Sequence, residues 1–434
     1  MTMKRVVIMI LDGLRRDLVS PETTPHLADL AARAEWFDDY RTVFPSCTRV
    51  VSASVATGCT PARHGLQGNS VALIESGRLV PRDAGDPQFL QHKRRVTGCS
   101  LLVPTLAERV KAVGGQIVFS NVSPGAAYAH DPDGHGFVYH RAGSFGPGRV
   151  EVAAGDRLDV TLDSRGDARM TARFIDDVLV RRRPAVGVLW LGEPDHIQHN
   201  APLGSPDHLA VLAEADRQAA EMIAAVERQR DQGEDILLLI GSDHGHQTVE
   251  DIVDIDAALI NSGLKANHAS DEILAISNGT SALIYVDSRR GPPLQSVRSF
   301  LDASDWAGQV FGPDELGRVG QAHTGGLAFA VSMRSSDAPN SFGIRGSSLA
   351  AKPALGKPDR LGCGQHGGLG IYEQAPFLMA SGKGFSPGQI RTSPARIIDI
   401  APTVLSHLGL ACTGMDGEAL QAAAWRSEPR AIRA

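Results

Sequence analysis

Two early motifs carry side chains that could bind a metal ion. Asp12 follows an apolar run at residues 6–11 and precedes a glycine, so its carboxylate lies at the end of a buried strand with room beside it. Asp195 and His199 follow a second apolar run and are four residues apart. One helical turn would put both on the same face, where they could hold one divalent ion. The alternative for Asp12 is a simple Asp-Gly turn.

Two later motifs add similar ligands. Asp243 and His244 directly follow a third apolar run, and they can reach metal only at neighbouring sites or through a sharp turn, which Gly245 permits. His366 lies among glycines, which let backbone and ligand come close. Taken singly, the first pair is equally a hydrogen-bonded turn, and His366 is a loop histidine. His196 is interpreted as a supporting or surface histidine.

A candidate nucleophile lies before a segment of small residues at 50–57, which predicts a short helix. Thr48 and Ser46 place hydroxyls near its amino terminus, where free N–H groups and the helix dipole favour a phosphoryl group. Both hydroxyls could instead be simple helix caps. Cys47 is a rival nucleophile, but it has no evident partner histidine, and a buried inert thiol is the alternative.

The elements that position these residues follow an alternating pattern of apolar strands and periodic helices. This pattern predicts an α/β sandwich with a mainly parallel central sheet, whose ligands lie at the carboxyl ends of the strands. The predicted buried strands are residues 5–11, 116–120, 185–191, 236–241, 282–286, 327–333 and 377–380. Helices are predicted at residues 26–34 and from 207 to about 230, and long loops at 126–156 and 333–364.

Composition excludes several classes of protein. The 434 residues carry 49 acidic and 43 basic side chains, a net charge of -6, and this balance argues against nucleic acid polymers and anionic membranes as partners. No apolar run is long enough for a membrane span or a signal peptide. The five scattered cysteines lack a C-x-x-C pair, which argues against a disulfide framework or a thiolate zinc site. We therefore expect a cytoplasmic protein.

Taken in order, the motifs resemble the alkaline phosphatase superfamily. Within it, they are similar to the type I phosphodiesterase / nucleotide pyrophosphatase and phosphonoacetate hydrolase branch. The resemblance runs from about residue 4 to 412. It includes the segment from Thr60-Pro61 through Gly68-Asn69, and residues 397–409, which look like the closing Asp-x-x-Pro-Thr helix of that family. His64, within the first of these segments, is interpreted as structural.

The resemblance implies a fold and a domain organisation. The fold is an alkaline phosphatase-like α/β/α sandwich with a mainly parallel central sheet and an inserted cap subdomain. Residues 1–245 and 365–415 would form the core, residues 246–364 the inserted subdomain, and residues 416–434 a peripheral tail.

The resemblance also implies a site with two divalent metal ions, zinc first, with manganese or iron as alternatives. The ligands of one metal would be Asp12, Thr48, Asp243 and His244. The ligands of the other would be Asp195, His199 and His366. Asn69 would donate its side-chain amide to a phosphoryl oxygen, beside the backbone N–H that follows the nucleophile.

The activity implied is that of a two-metal phosphoric ester hydrolase, similar to phosphodiesterases and nucleotide pyrophosphatases, which acts on small diesters or activated monoesters. The reaction would pass through a covalent phosphothreonine on Thr48, with net retention at phosphorus. The alternatives are a phosphomonoesterase, a phosphonate C–P hydrolase, a phosphotransferase or mutase, and a metal-binding module without turnover. The resemblance is also compatible with a homodimer.

Departures from the family pattern bear on substrate. Arg49 stands where nucleotide phosphodiesterases tend to carry the phenylalanine of a base-stacking slot, which argues against nucleoside recognition. Arg49 could bind a second anionic group of the substrate, point to solvent, or bridge to a carboxylate such as Asp17. Residues 120–124 lack the lysine pair of phosphonoacetate hydrolases, and residues 47–51 lack the Cys-x-Pro-x-Arg motif of sulfatases.

Overall fold

A ten-stranded sheet runs through the middle of the protein, of which the computed structural model describes residues 4–421. The strands are β1 (Lys4–Leu11), β2 (Glu35–Phe37), β3 (Tyr40–Arg41), β4 (Ser70–Glu75), β5 (Arg78–Asp83), β6 (Gln116–Ser120), β7 (Phe137–Tyr139), β8 (Phe145–Gly146), β9 (Val150–Glu151), β10 (Val186–Leu191), β11 (Asp235–Gly241), β12 (Gln247–Val253), β13 (Ile273–Ser277), β14 (Ser281–Val286), β15 (Ala307–Phe311), β16 (Leu327–Met333), β17 (Ser335–Pro339), β18 (Arg345–Ala351), β19 (Gly364–Gln365), β20 (Leu378–Ser381), β21 (Ile390–Arg391) and β22 (Ala395–Arg396). The helices are α1 (Pro25–Ala31), α2 (Thr48–Thr57), α3 (Pro61–His64), α4 (Phe89–Thr97), α5 (Leu106–Val110), α6 (Pro124–Ala129), α7 (Ser164–Arg173), α8 (Asp195–Gln198), α9 (Pro206–Asp231), α10 (Ile255–Asn261), α11 (Leu294–Ala303) and α12 (Ile400–Leu408).

The central sheet has the order β21-β2-β20-β11-β1-β10-β6-β7-β8-β9. Its middle strands β11, β1, β10, β6 and β7 are parallel, while β20 pairs antiparallel with β11. The carboxyl ends of the parallel strands therefore meet at one edge, where ligands bind in open α/β sheets.

Helices cover both faces of this sheet. Along β1, Val6, Ile8 and Ile10 belong to one apolar core, and the alternating residues belong to a second core on the other face. Residues of α2, α5, α6 and α12 complete the first core, and residues of α1, α7 and α9 complete the second. The predicted α/β/α sandwich with a mainly parallel sheet is confirmed.

Two of the predicted strands lie outside the central sheet. The segments at 282–286 and 327–333 are strands β14 and β16, but they form a separate antiparallel sheet of order β13-β14-β16-β15. A third sheet has the order β17-β18-β12-β19. Apolar runs alone do not reveal which sheet a strand joins, because a buried strand in either sheet has the same composition.

The loop predictions were wrong in part. Residues 126–156 contain part of α6 and the short strands β7, β8 and β9, which extend the central sheet. Residues 333–364 contain β17 and β18. The Gly, Ser and Pro content of residues 333–364 predicts a loop. Long-range pairing in a sheet overrides this weak local propensity, so β17 and β18 form there.

The predicted helices are present, with small shifts at their ends. Pro25 lies at the start of α1, and α9 begins after Ser205, whose side chain accepts from the His208 N–H. The domain boundaries at 245 and 365 stay a prediction. Of the predicted tail 416–434, residues 422–434 lie outside the described residues. Within residues 4–421, no helix combines the length and the apolar character needed to cross a bilayer.

Buried histidines away from the ligand motifs make folding sensitive to acid. Burial lowers the pKa of His64 to about 3, and it lowers the pKa of His130, His140, His208 and His407 to about 4. The unfolded chain takes up these protons below about pH 6.5, while the folded chain does not. The contribution of these histidines to stability is therefore fully present above pH 6.5 and is lost as the pH falls toward 4.

We expect His208→Asn to reduce this pH dependence by one proton. Asparagine can accept from the Gly204 N–H, as Nδ1 of His208 does at 2.9 Å. The free energy of unfolding, measured in urea between pH 7.5 and 4.5, should fall less steeply by about 1.4 kcal/mol per pH unit at most. The exposed His26→Asn serves as the control. Parallel curves for wild type and His208→Asn would contradict the assignment.

Candidate functional site

Two strand ends bring together the first group of candidate metal ligands. Asp12 follows β1, and Asp243 and His244 follow β11, its parallel neighbour. Nε2 of His244 lies 3.1 Å from Oδ2 of Asp243 and 3.5 Å from Oδ1 of Asp12. The three side chains are buried, and their ligand atoms could reach one metal ion. The backbone bends at Asp243, and the adjacent side chains of Asp243 and His244 lie together in this group.

A second group forms around Asp195, which follows β10. One turn of helix, α8, puts His199 on the same face, with Nε2 3.4 Å from Oδ1 of Asp195. His366 arrives from a distant loop, and its Nε2 lies 3.5 Å from the same oxygen. The rings of His244 and His366 stack with centroids 3.7 Å apart, so the two groups adjoin.

The backbone fixes which nitrogen each histidine presents. Nδ1 of His199 contacts the Gly364 carbonyl at 3.0 Å, Nδ1 of His244 the Gly245 carbonyl at 3.2 Å, and Nδ1 of His366 the Ser46 carbonyl at 2.6 Å. A carbonyl only accepts, so each Nδ1 carries the proton. The lone pair of each Nε2 therefore faces the carboxylates, as in metal-binding histidines.

His246 is a member of the second group that the sequence analysis missed. Its Nε2 lies 2.8 Å from Oδ1 of Asp195, and its buried Nδ1 has no hydrogen-bond partner among the described residues. Burial lowers its pKa to about 3. The signal in the sequence was the run His244-Gly245-His246. A glycine between two histidines allows both to turn toward one site.

The negative charge of the three carboxylates in the site favours the binding of cations. The contacts of Asp12, Asp195 and Asp243 within residues 4–421 are imidazoles, an indole and backbone N–H groups, without a lysine or arginine. Oδ1 of Asp12 and Oδ2 of Asp243 are buried without a hydrogen-bond donor. Burial, together with Asp243 and Asp195, raises the pKa of Asp12 well above its ordinary value. Oxygen and imidazole ligands with this charge fit divalent metal ions.

Two contacts that the sequence did not reveal orient these carboxylates. The buried Trp190, on β10, donates from its indole to Oδ2 of Asp12 at 2.8 Å. The Gly13 N–H donates to Oδ1 of Asp243 at 3.0 Å. Each contact leaves the other carboxylate oxygen facing His244.

Thr48 lies beside the first group. It is the first residue of α2, and its Oγ1 is 3.1 Å from Nε2 of His244. The Thr48 N–H has no acceptor within the described part of the chain, as expected for the first turn of a helix. The structure thus combines a hydroxyl and a free N–H at a helix amino terminus beside the carboxylates and imidazole of the first group.

The two rival nucleophiles have other roles. Ser46 accepts from the Gly367 N–H at 2.9 Å and lies 3.2 Å from Oε2 of the buried Glu373. The Cys47 thiol is buried against the Asn278 carbonyl, and burial raises its pKa. A protonated buried thiol is a poor nucleophile. Neither side chain contacts the carboxylates of the site.

Glu373 holds the loop that carries His366, and the sequence analysis missed it. Its carboxylate accepts from the Gly368 N–H at 2.8 Å, the Gly370 N–H at 3.1 Å and the Thr280 hydroxyl at 2.5 Å. Gly367 has φ of 130°, and a Cβ there would lie 1.8 Å from the Asn278 carbonyl oxygen. The glycines around His366 are therefore needed for close packing of the loop.

Asn69 lies next to Thr48 and is fixed by the neighbouring residue. Its Oδ1 accepts from the Arg49 N–H at 3.1 Å, so the N–H that was expected to bind substrate is engaged by Asn69 instead. Nδ2 of Asn69 has no acceptor among the described residues. The amide nitrogen is therefore available to a ligand beside Thr48.

The Arg49 side chain binds the backbone of Asn69. Its guanidinium donates to Oγ of Ser123 at 3.0 Å and to the Asn69 carbonyl at 3.1 Å, and it lies 3.5 Å from Oδ1 of Asp83. These contacts favour the alternative in which Arg49 bridges to a carboxylate. The carboxylate is that of Asp83, because Asp17 pairs with Arg15.

A cavity of about 1190 Å³ opens beside the site. Asn69, His199 and His366 line it, and residues from 254–279 and 350–365 form much of its wall. The cavity can hold a substrate considerably larger than a phosphoryl group.

An α/β/α sandwich that gathers Asp and His residues around a hydroxyl at a helix amino terminus has the arrangement of a phosphoryl-transfer hydrolase. The sequence model of the type I phosphodiesterase / nucleotide pyrophosphatase family matches residues 6–316. The chain belongs to this family. No sequence among the curated proteins compared matches the chain significantly.

Solved structures share the fold. Murine ectonucleotide pyrophosphatase / phosphodiesterase 5, as an inactive variant in complex with AMP, has a TM-score of 0.68 at 16% identity, over 96% of this chain and 97% of that chain. Phosphonoacetate hydrolase from Sinorhizobium meliloti, in complex with phosphonoformate, has a TM-score of 0.67 at 17% identity, over 94% and 96%. The human ectonucleotide pyrophosphatase / phosphodiesterase 5 has a TM-score of 0.64 at 14% identity, over 96% of this chain and 97% of that chain. The resemblance to the alkaline phosphatase superfamily is confirmed.

Proposed function

We propose that this chain is a two-metal phosphoric ester hydrolase that acts through a covalent phosphothreonine on Thr48. One observation carries the proposal: the Thr48 hydroxyl lies at a helix amino terminus, 3.1 Å from Nε2 of His244, within a buried cluster of carboxylates and imidazoles. Phosphoryl groups are bound by helix amino termini, and clusters of this composition bind divalent cations.

The candidate metal ligands divide into two adjoining sets. Asp12, Asp243, His244 and Thr48 would hold one ion, and Asp195, His199 and His366 the other. When bound, the two ions would lower the pKa of the Thr48 hydroxyl and offset the negative charge of the phosphoryl group and the leaving oxygen. His246 donates from Nε2 to Asp195, which orients that carboxylate toward His199 and His366.

The chain itself positions the reacting groups. Thr48 Oγ1 gives its proton to solvent and attacks phosphorus, and the bond from phosphorus to the leaving oxygen breaks as the new Oγ1–P bond forms. The leaving oxygen departs with the electron pair of that bond and takes up a proton from solvent. The free Thr48 N–H and Nδ2 of Asn69 can donate to non-bridging phosphoryl oxygens. Water then attacks the phosphothreonine from the opposite side, which regenerates the hydroxyl and releases the phosphoryl product.

We expect Asn69→Ala to reduce kcat/KM by roughly 10- to 1,000-fold, because one donor to the transition state is lost. Asn69→Asp is the sharper variant, since it keeps an oxygen for the Arg49 N–H but removes the amide donor. Rates on p-nitrophenyl esters, measured beside metal content, check this result. A wild-type rate in either variant would make Asn69 structural.

The kind of ester is tested by comparing p-nitrophenyl phosphate, bis(p-nitrophenyl) phosphate and a p-nitrophenyl phosphonate. The ranking of kcat/KM identifies a monoesterase, a diesterase or an enzyme of phosphonates. Phosphonoacetate, assayed for released phosphate, tests cleavage of a C–P bond. A phosphoryl group found on an added alcohol instead of water would favour a transferase. Bound metal without turnover on any of these compounds would overturn the proposal.

A further inference from the structure

The charged residues along the cavity are unequally paired. Its basic lining residues are Arg49, Arg82, Lys265, Lys352, Lys357 and Arg360. These side chains line the space that a substrate in the cavity would occupy. Whether each positive charge is already neutralised decides which of them can attract an anionic substrate.

All but one of these side chains have a carboxylate partner. Lys357 and Arg49 both lie against Asp83, at 2.7 Å and 3.5 Å. The remaining pairs are Arg82 with Glu75, Lys265 with Asp256, and Lys352 with Asp254. Their charges are largely used within the protein.

Arg360 is the exception among the described residues. Its NH1 donates to the His199 carbonyl at 3.0 Å and to Oδ1 of Asn200 at 2.8 Å, and both acceptors are neutral. No carboxylate in the described part of the chain lies within ion-pair distance of its guanidinium. Both of these hydrogen bonds come from NH1, so the other nitrogens of the guanidinium are available to a ligand.

The contacts of NH1 place Arg360 at a defined side of the site. They tie the guanidinium to His199, which belongs to the group around Asp195 and His366, whereas Thr48 lies at the group around Asp12 and Asp243. In an in-line displacement, the leaving group departs on the side opposite the nucleophile. Arg360 therefore borders the leaving-group side of the reaction.

We propose that Arg360 binds a second anionic group, carried by the leaving-group portion of the substrate. This inference rests on the proposed function and narrows it. The substrates are phosphoryl compounds whose leaving group bears a carboxylate or a further phosphoryl-type group. Guanidinium suits both, because its planar donors match the oxygens of either anion.

The test compares phenyl phosphates that differ in one substituent of the leaving group. The probes are 3- and 4-carboxyphenyl, phosphonophenyl and carbamoylphenyl phosphates, each as a monoester and as its methyl diester. We expect wild type to prefer the charged probes over the neutral carbamoyl probes. Arg360→Gln should lower kcat/KM for the preferred charged probe by roughly 10- to 100-fold, mainly through KM, and leave the carbamoyl probe unchanged. The better of the carboxyl and phosphono probes identifies the anion.

Two control variants separate binding of the second anionic group by Arg360 from effects on the turnover of every probe. Lys352→Gln removes a charge from the same cavity that already has a carboxylate partner, and it should keep the wild-type preference. Arg360→Lys should retain part of the preference. An equal loss on charged and neutral probes in Arg360→Gln, or a wild type without preference, would overturn the inference while the proposed function stands. Absence of turnover on every probe would overturn both.

Discussion

Thr48→Ala should abolish turnover while the protein keeps its fold and its metal. The substitution removes the only atom proposed to accept the phosphoryl group, Oγ1, which lies 3.1 Å from Nε2 of His244. By comparison with other nucleophile deletions, kcat should fall by about three to six orders of magnitude. Initial rates on the best p-nitrophenyl ester, with metal analysis of the same sample, measure the effect.

Neighbouring variants make this result specific. Thr48→Ser keeps a hydroxyl and should retain measurable turnover. Cys47→Ala removes the buried thiol beside Thr48 and should leave the rate unchanged, because that thiol donates to the Asn278 carbonyl and not to the carboxylates of the site. Acid-quenched wild type should contain a phosphorylated peptide that includes Thr48. Turnover in Thr48→Ala at the wild-type rate would remove Thr48 from the mechanism.

Removal of divalent metal should eliminate activity and destabilise the fold. Without cations, the buried carboxylates of Asp12 and Asp243 face each other with unpaired oxygens, and the pKa of Asp12 is raised by burial and by Asp243. Metal that is present at 100 times its Kd stabilises the folded state by about 2.7 kcal/mol per site. Chelation, followed by activity assays and thermal unfolding, should therefore show loss of turnover and a lower Tm.

Readdition of different ions serves as the control for chelation. Zinc, manganese or iron should restore activity and Tm, because three of the four side chains in the cluster of Asp195, His244, His246 and His366 are imidazoles. Calcium prefers oxygen ligands and should restore neither. Full activity and an unchanged Tm in the chelated, metal-free protein would contradict a role for metal.

The sequence predicted the parts of the site that depend on one strand end or one helical turn. Asp12, Asp195 and Asp243 each follow a parallel strand, and such ends necessarily meet at one edge. His199 follows from the four-residue spacing of a helical turn. His366 could be placed only through the order of motifs that resembles a known superfamily, because it belongs to a distant loop.

Residues that orient the ligands were not predictable in the same way. Trp190 reads as an ordinary strand residue, and only the register of β10 with β1 brings its indole to Asp12. Glu373 has no motif, since its partners Ser46, Thr280 and Gly368 come from separate parts of the chain. Contacts of this kind depend on tertiary packing, which local patterns do not encode.

The same reason explains the errors in the fold. β17 and β18 have the composition of loops, and they become strands only by pairing with each other and with β12. The strands at 282–286 and 327–333 were correctly placed along the chain, but the sheet they join is set by pairing partners.

The central claim is that the two groups of ligands hold two divalent cations beside Thr48. Metal content per chain, measured by elemental analysis after saturation with zinc and gel filtration, tests it most directly. We expect two ions per chain in wild type and fewer in Asp243→Asn. Asp235→Asn, at the opposite end of β11, should keep both ions. A wild-type protein that retains no divalent ion, or an Asp243→Asn variant that still binds two, would contradict the account.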